Sequence, residues 1–284
     1  MSDPLLKQEH GSAAFTETAP MPVIFIGHGS PMNAIEENEF SNAWISLGER
    51  LPKPRAILCI SAHWETKGAQ LTANDHPKTI HDFYGFPQKL YMQRYPAPGS
   101  PELTDFIIQQ MNTRQIEKSN EWGLDHGTWS VLKYIYPQAD IPVVQFSIDR
   151  YKNAEWHYEM GTMLSFLRKR GVLVIGSGNM IHNLRMIHIP GEDFNAEHGY
   201  DWANELNTIF KQKIEGNDIQ SLIAYKTLHK EVHYAIPTAE HYLPLLYVLG
   251  MRSGSDRVTI FNDKVIAGSL SMTSVLLEDE NGKV

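Results

Sequence analysis

The sequence predicts an α/β fold, a single domain in which helices flank a mixed, largely parallel central sheet. Three short apolar runs of β-type composition, each ending shortly before a histidine, support this prediction: residues 23–26, 56–61 and 172–177. A helical pattern separates the first two runs, so that they form a βαβ unit with parallel strands. The 284 residues show no internal repeat and no linker that would divide them into two domains.

The first half of the chain adds one long irregular segment and further helices to this unit. Apolar residues at helical spacing behind acidic ones predict a helix over residues 40–47, which the following prolines end. Residues 63–100 are irregular and rich in aromatic side chains, and loops of this length are commonly functional. Ser100 and the proline after it are typical of a helix start. A turn-rich segment over residues 122–129 then opens another helix.

The second half of the chain continues the alternation of strands and helices. A strand is expected over residues 143–148, and Asn153 is a favourable N-cap for a helix to Arg170, which Gly171 ends. Beyond the strand at 172–177, apolar residues at helical spacing predict three helices: 201–215, 219–228 and 238–250. Two β-type runs close the chain, at residues 258–260 and 268–276.

Composition limits the partners that the chain is expected to have. A net charge of −8 argues against nucleic acid, and no apolar run is long enough to span a bilayer. We see no signal peptide, so we expect a cytoplasmic protein without a membrane partner, as a monomer or small homo-oligomer. Residues 1–20 are polar and aperiodic, which predicts a flexible N-terminal extension before a catalytic domain over residues 21–284.

Cysteine and histidine content together indicate the kind of site. The single cysteine, Cys59, lies inside the second predicted strand, which favours a buried small hydrophobe and excludes a thiolate metal cluster. Thirteen histidines are many for a chain of this length. Metal sites built without cysteine use imidazole and carboxylate ligands, so histidine is the residue type to follow.

Three histidines follow predicted strands, and this placement predicts where they meet. His28, His63 and His182 each come just past the end of an apolar run. Ligands of open parallel sheets bind at the carboxyl ends of the strands, so we expect these imidazoles to lie together. His126 and His241 lie at loop-to-helix junctions that can face the same edge. Imidazoles without thiolates favour zinc or non-haem ferrous iron.

Structural alternatives stay open for these residues. A single histidine in a turn is more often a hydrogen-bonding loop residue than a ligand, and only the repeated strand-end placement favours a metal site. The aromatic residues of the nearby loops can belong either to the core or to a pocket wall; they are Trp64, Phe83, Tyr84, Phe86 and Trp129.

Several motifs, in this order, connect the chain to a known family: Gly27-His28-Gly29-Ser30-Pro31, Ser61-Ala62-His63-Trp64, Ile80-His81-Asp82-Phe83, Gly123-Leu124-Asp125-His126-Gly127, Ser177-Gly178-Asn179 and Glu240-His241-Tyr242. They resemble the 4,5-DOPA extradiol dioxygenase family, a branch of the class III extradiol ring-cleavage dioxygenases. That class is related to the catalytic subunit of protocatechuate 4,5-dioxygenase. The resemblance extends from about residue 21 to residue 275.

The resemblance implies both an activity and a set of site residues. The activity is metal-dependent extradiol (meta) cleavage of a small catechol such as DOPA by O₂, giving a ring-opened semialdehyde. One divalent metal per chain is implied, with Zn²⁺ as the ion expected in the protein and Fe²⁺ as the ion expected for oxygen chemistry. The implied ligands are His28, His63, His182 and His241, with His241 favoured over its neighbour Glu240. The implied catalytic residues are His182 as base and His126 as acid.

Two other hypotheses fit the same residues. Four nitrogen ligands suit zinc, so a zinc-dependent hydrolase on a similar α/β scaffold is the first alternative. A non-catalytic metal-binding protein is the second. The sequence leaves open whether His182 is a ligand or a free base.

Overall fold

The centre of the fold is a sheet whose strands we number in chain order, in a computed structural model that describes residues 15–280. The strands are β1 Val23–Gly27, β2 Ala56–Thr66, β3 Ala69–Thr72, β4 Ile116–Ser119, β5 Val143–Asp149, β6 Val172–Gly178, β7 Asp256–Phe261, β8 Val265–Ile266, β9 Leu270–Ser271 and β10 Ser274–Asp279. Eight of them form the main sheet in the order β4-β3-β5-β2-β6-β1-β10-β7, and β8 pairs with β9 separately.

The main sheet is mixed and parallel at its centre. Strands β5, β2, β6 and β1 run parallel, with Leu58 opposite both Val174 and Val144. Antiparallel pairs lie outside them, where β10 joins β1 and β3 joins β5. The predicted fold class is therefore confirmed. Strand β3 lies in the segment predicted to be irregular and β4 was not predicted, since four-residue strands give too short a pattern to recognise.

Helices cover both faces of this sheet. They are α1 Glu39–Arg50, α2 Gln88–Tyr91, α3 Pro101–Gln110, α4 His126–Ile135, α5 Ala154–Leu164, α6 Asp201–Glu215, α7 Ile219–Ile223, α8 Val232–Ala235 and α9 Leu243–Gly250. Alternate residues of β1 enter two separate apolar clusters: Phe25 enters one, and Ile24 and Ile26 enter the other. Burial on both sides is the usual condition of a parallel sheet.

Four predicted elements differ from the structure. The helix expected over 238–250 begins only at Leu243. The helix expected to reach Arg170 changes to a 3₁₀-helix at Ser165, and the one expected over 219–228 ends at Ile223. The run at 268–276 is not one strand, because Gly268 adopts a φ of 79° in the turn that precedes β9. Left-handed backbone of this kind cannot continue a strand.

The predicted N-terminal extension packs partly on the domain. Residues 1–14 lie outside the described residues, so their predicted flexibility stays a prediction. Phe15, however, is buried and stacks on Phe106 with ring centroids 5.2 Å apart, and the Thr18 amide donates to the Lys169 carbonyl over 2.9 Å. Residues 15–20 are thus held by an apolar anchor that the polar composition concealed. No helix between residues 15 and 280 is long and apolar enough to cross a membrane.

Candidate active site

Five histidines line one cavity of about 560 Å³ at the carboxyl edge of the parallel strands. His28 follows β1 directly, and His63 lies in the part of β2 that loses register with β5. His182 comes four residues after β6, His126 is the first residue of α4, and His241 lies two residues before α9. The strand-end argument predicted that His28, His63 and His182 meet at one edge, and they do, although His63 lies inside β2 and not past its end. His126 and His241, expected at loop-to-helix junctions, face the same edge.

Distances between the rings show how closely they meet. The Nε2 atoms of His28 and His63 are 3.1 Å apart. Ring centroids of His63 lie 3.9 Å from those of His126 and 5.0 Å from those of His241. The His182 ring is stacked on His241, with centroids 3.5 Å apart and an interplanar angle of 6°. Possible ligand atoms within 4.8 Å of one another fall into two groups, one of His28, His63 and His126 and one of His182, Glu240 and His241.

Ser177 determines which nitrogen of His28 carries the proton. The Ser177 hydroxyl lies 2.5 Å from the Gly127 carbonyl oxygen and can only donate to it. It must therefore accept from His28 Nδ1, which lies 2.9 Å away. A proton on Nδ1 leaves Nε2 of His28 as a lone pair facing His63.

Glu240 has the corresponding position behind His241. Its Oε1 atom lies 3.1 Å from His241 Nδ1 and accepts a further hydrogen bond from the Thr238 hydroxyl. Nε2 of His241 is buried and, among the residues that the structure describes, has no hydrogen-bond partner. Gly178 helps to place this residue, since the His241 carbonyl oxygen occupies the space that a Cβ at position 178 would need.

Asp82 holds two of the histidines at once. Its Oδ2 atom lies 2.9 Å from His126 Nδ1 and 3.3 Å from His63 Nδ1, while Oδ1 accepts from the His126 amide over 2.8 Å. Burial opposes ionisation of this carboxyl, but the hydrogen bond and charge of His126 outweigh it and lower the pKa of Asp82 to about 2. Asp82 is thus a carboxylate that favours Nδ1–H on both imidazoles.

The donor set fits a divalent metal ion. His28 and His241 hold Nδ1–H against an oxygen acceptor, and the Asp82 carboxylate 3.3 Å from His63 Nδ1 favours the same tautomer there, which leaves three Nε2 lone pairs. Two lone pairs 3.1 Å apart repel, and a buried Nε2 without a partner is costly. A cation between them removes both penalties. Imidazole ligands whose second nitrogen is held by a carboxylate or hydroxyl are the usual arrangement in zinc and iron sites.

Burial keeps these imidazoles neutral and ready to coordinate. It lowers the pKa values of His28, His63 and His241 well below the usual value of 6.5, and neighbouring histidines lower them further. Burial likewise lowers the pKa of His182 to about 4. Neutral imidazole is the form that binds a metal, so metal binding at neutral pH needs no loss of a proton.

A second buried acid supports the start of α4. The Asp125 carboxylate caps this helix by accepting from the Thr128 amide, and it also accepts from Ser61 Oγ at 2.7 Å and Gln145 Nε2 at 2.6 Å. Burial raises the pKa of Asp125. It does not line the cavity, and its hydrogen bonds to Thr128, Ser61 and Gln145 make it a support for His126 and not a reacting group.

Apolar side chains form most of the remaining cavity wall. Those that share this role are Pro31, Met32, Phe83, Tyr84, Phe86, Leu184, Ile187, Phe194 and Leu270. Three of the five aromatic residues considered from sequence are among them. The other two are buried elsewhere: Trp64 stacks on Trp122 at 5.6 Å, and the Trp129 indole donates to the Ile80 carbonyl.

Sequence reasoning missed three residues of the site. Asp82 lies in the quoted motif Ile80-His81-Asp82-Phe83, and an acid inside a long aromatic loop was the available signal. Ser177 ends an apolar run directly opposite β1, but nothing in the sequence connects it to His28. Glu36 lines the cavity, although it was taken only as part of the acidic start of a helix.

The sequence matches proteins of one known family. Residues 21–275 match the family model described as the catalytic LigB subunit of aromatic ring-opening dioxygenase. The chain is 46% identical to 4,5-DOPA dioxygenase extradiol of Escherichia coli strain K12, over 90% of this chain and 94% of that protein. It is 34% identical to 4,5-DOPA dioxygenase extradiol of Beta vulgaris, over 88% of this chain and 94% of the relative.

A solved structure shows the same fold. The crystal structure of an uncharacterized protein from Escherichia coli K12 superimposes with a TM-score of 0.79 and 41% sequence identity, covering 91% of this chain and all of that one. The family match spans every histidine of the cavity, from His28 to His241. The chain belongs to the family of the catalytic LigB subunit of aromatic ring-opening dioxygenase.

Proposed function

We propose that the protein opens the ring of a small catechol such as DOPA at an extradiol bond, using O₂ and one divalent metal ion. The observation that carries the proposal is the set of imidazoles that meet in one largely apolar cavity, with the Nε2 atoms of His28 and His63 3.1 Å apart and that of His241 buried without a partner among the described residues. A flat aromatic diol fits such a cavity, with its oxygens at the metal and its ring against apolar walls. Membership of a ring-opening dioxygenase family favours this activity over the zinc hydrolase and the non-catalytic metal protein.

We propose His28, His63 and His241 as the metal ligands. Each has Nδ1 engaged by an oxygen acceptor, which aims a basic Nε2 at the shared space. Glu240 acts through His241, since its Oε1 atom is engaged by that imidazole. When bound, the metal supplies Lewis acidity toward the catechol oxygens and, as Fe²⁺, the electrons that activate O₂. The nitrogen set suits Zn²⁺ as well, so we propose Fe²⁺ for the active enzyme on the requirement of oxygen chemistry.

His182 is proposed as the base and not as a fourth ligand. A coordinated imidazole holds the metal in its ring plane, so two ligands of one ion must direct their planes toward a common point. His182 and His241 are instead parallel and stacked, which keeps their in-plane lone pairs from converging. With a pKa lowered by burial to about 4, His182 is neutral at pH 7 and can accept a proton from a catechol hydroxyl.

His126 is proposed as the acid. Its Nδ1–H is held by Asp82, which fixes the orientation of the ring and leaves Nε2 as the nitrogen that exchanges a proton with the substrate. The ring packs against Phe83 at a centroid distance of 5.5 Å, edge to face, so the apolar wall limits the access of water to it. A proton that His126 donates therefore goes to the substrate and not to bulk solvent.

The test is oxygen consumption by protein loaded anaerobically with Fe²⁺ and mixed with DOPA. We expect O₂ uptake in equal amount to a yellow ring-opened product. His28→Ala should lose both the metal, measured by elemental analysis, and the activity, while the exposed His76→Ala serves as the matched control. Absence of turnover by the iron-loaded protein across a panel of catechols would reject the proposal. Zinc-dependent ester hydrolysis without O₂ would support the hydrolase instead.

A further inference from the structure

Apart from the histidines, the charged side chains that line the cavity are negative. Apart from the histidines and the engaged Asp82, the charged side chain that lines the cavity within residues 15–280 is Glu36. No lysine or arginine belongs to the described part of the wall. Beyond the histidines, a substrate that fills the cavity therefore contacts a carboxylate and no lysine or arginine of the described residues.

Glu36 is held in place and left partly free. Its carbonyl oxygen accepts from the hydroxyls of Ser41 and Tyr134, at 3.1 and 3.2 Å, which fixes its backbone. The side chain is half-buried, and its Oε2 atom accepts from Asn195 Nδ2 over 3.3 Å. Within the described part of the chain the carboxylate has no ion pair, so a strong hydrogen-bonding site for a cation remains on it.

The surroundings strengthen the attraction for a cation. A groove that shares Glu36 with the cavity is also lined by Glu37 and Asp193, and by Lys264, which is itself paired with Glu39 at 2.7 Å. An excess of negative charge at the entrance of a cavity raises the local concentration of cations and lowers that of anions.

We propose that Glu36 binds the ammonium group of the substrate, so that the enzyme selects catechols whose side chain carries an amine. The inference rests on the proposed ring-cleaving function and adds the substrate class. A catechol amine carries groups that suit this wall: two oxygens for the histidines, an aromatic ring for the phenylalanines and an ammonium for Glu36. A carboxylate on the substrate finds no partner, so it is not required, and a catechol with only a carboxylate is rejected.

The test compares three catechols that differ in side-chain charge, with iron-loaded protein. They are dopamine, a cation; 4-methylcatechol, which is neutral; and 3,4-dihydroxyphenylacetate, an anion. Wild-type protein should have its highest kcat/KM for dopamine and its lowest for the anion. Glu36→Gln should lower the ratio of dopamine to 4-methylcatechol about tenfold, the value of one charge-assisted hydrogen bond at a half-buried site. Glu36→Lys should reverse the order of dopamine and the anion.

Glu49→Gln is the matched control, because this exposed acid lines neither the cavity nor the acidic groove. It should leave the ratio as in the wild type. Anaerobic titration calorimetry of the same ligands gives a second readout that does not depend on turnover. An unchanged ratio of binding constants in Glu36→Gln would overturn the inference, whether or not the ring is opened. No turnover of these three catechols or of DOPA would overturn the proposed function, and the calorimetry would still decide the role of Glu36.

Discussion

Asp82→Asn is the substitution that tests the organisation of the site most directly. The carboxylate accepts from His126 Nδ1 at 2.9 Å and lies 3.3 Å from His63 Nδ1. Asparagine keeps one oxygen, which can still accept from the His126 amide, but its NH₂ group cannot accept from an imidazole N–H. A hydrogen bond to a charged group contributes about 1.5–3 kcal/mol. The Asp82 side chain is only 15% exposed, so solvent does little to replace this loss.

The expected loss in metal affinity or kcat is a factor of about ten for each imidazole that loses its carboxylate, or about a hundred for both effects together. We expect Asp82→Asn to weaken Fe²⁺ binding about tenfold through His63 and to lower kcat by a further factor of about ten through His126. Competition with a fluorescent chelator measures the first effect, and oxygen uptake at saturating metal measures the second. Asp75→Asn, an exposed acid outside the cavity, is the control. Metal affinity and kcat both at wild-type level in Asp82→Asn would refute the role given to this residue.

Two predictions concern stability. Burial lowers the pKa of His157, which hydrogen-bonds the Tyr247 hydroxyl, to about 4. The unfolded chain therefore takes up a proton below about pH 6.5 that the folded chain does not, and the free energy of unfolding falls as the pH drops. Urea unfolding at pH 7 and pH 5 measures this decrease, which should be smaller by about 2 kcal/mol in His157→Gln than in the wild type. An equal decrease in the two proteins would contradict the prediction. Asp256→Asn should lower stability by about 3–5 kcal/mol, because it leaves the buried Arg168 guanidinium without its carboxylate partner at 2.5 Å. Asp140→Asn, in an exposed ion pair, should leave Tm unchanged, and a similar Tm for both variants would contradict the importance of burial.

Residue patterns predicted much of the frame. The apolar runs that became β1, β2, β5 and β6 are buried on both faces, which makes them continuous in sequence and easy to recognise. Helix starts were also predictable where a cap residue marks them, as at Asn153. The short strands β3 and β4 were not, because pairing with neighbours and not composition defines a strand of only four residues.

The sequence likewise predicts some features of the site and not others. Convergence of His28, His63 and His182 follows from the chain itself, because parallel strands must end at one edge. His28 and His182 follow such an end, and His63 lies in the last residues of β2. The protonation of these rings does not follow from it, since Ser177, Asp82 and Glu240 reach the imidazoles only through side-chain contacts. The position of Glu36 on the cavity wall does not follow from the sequence either, because it depends on how loops distant in the chain pack together. The local sequence pattern predicts where along the backbone a residue lies. Long-range packing determines which partners its side-chain nitrogen and oxygen atoms contact.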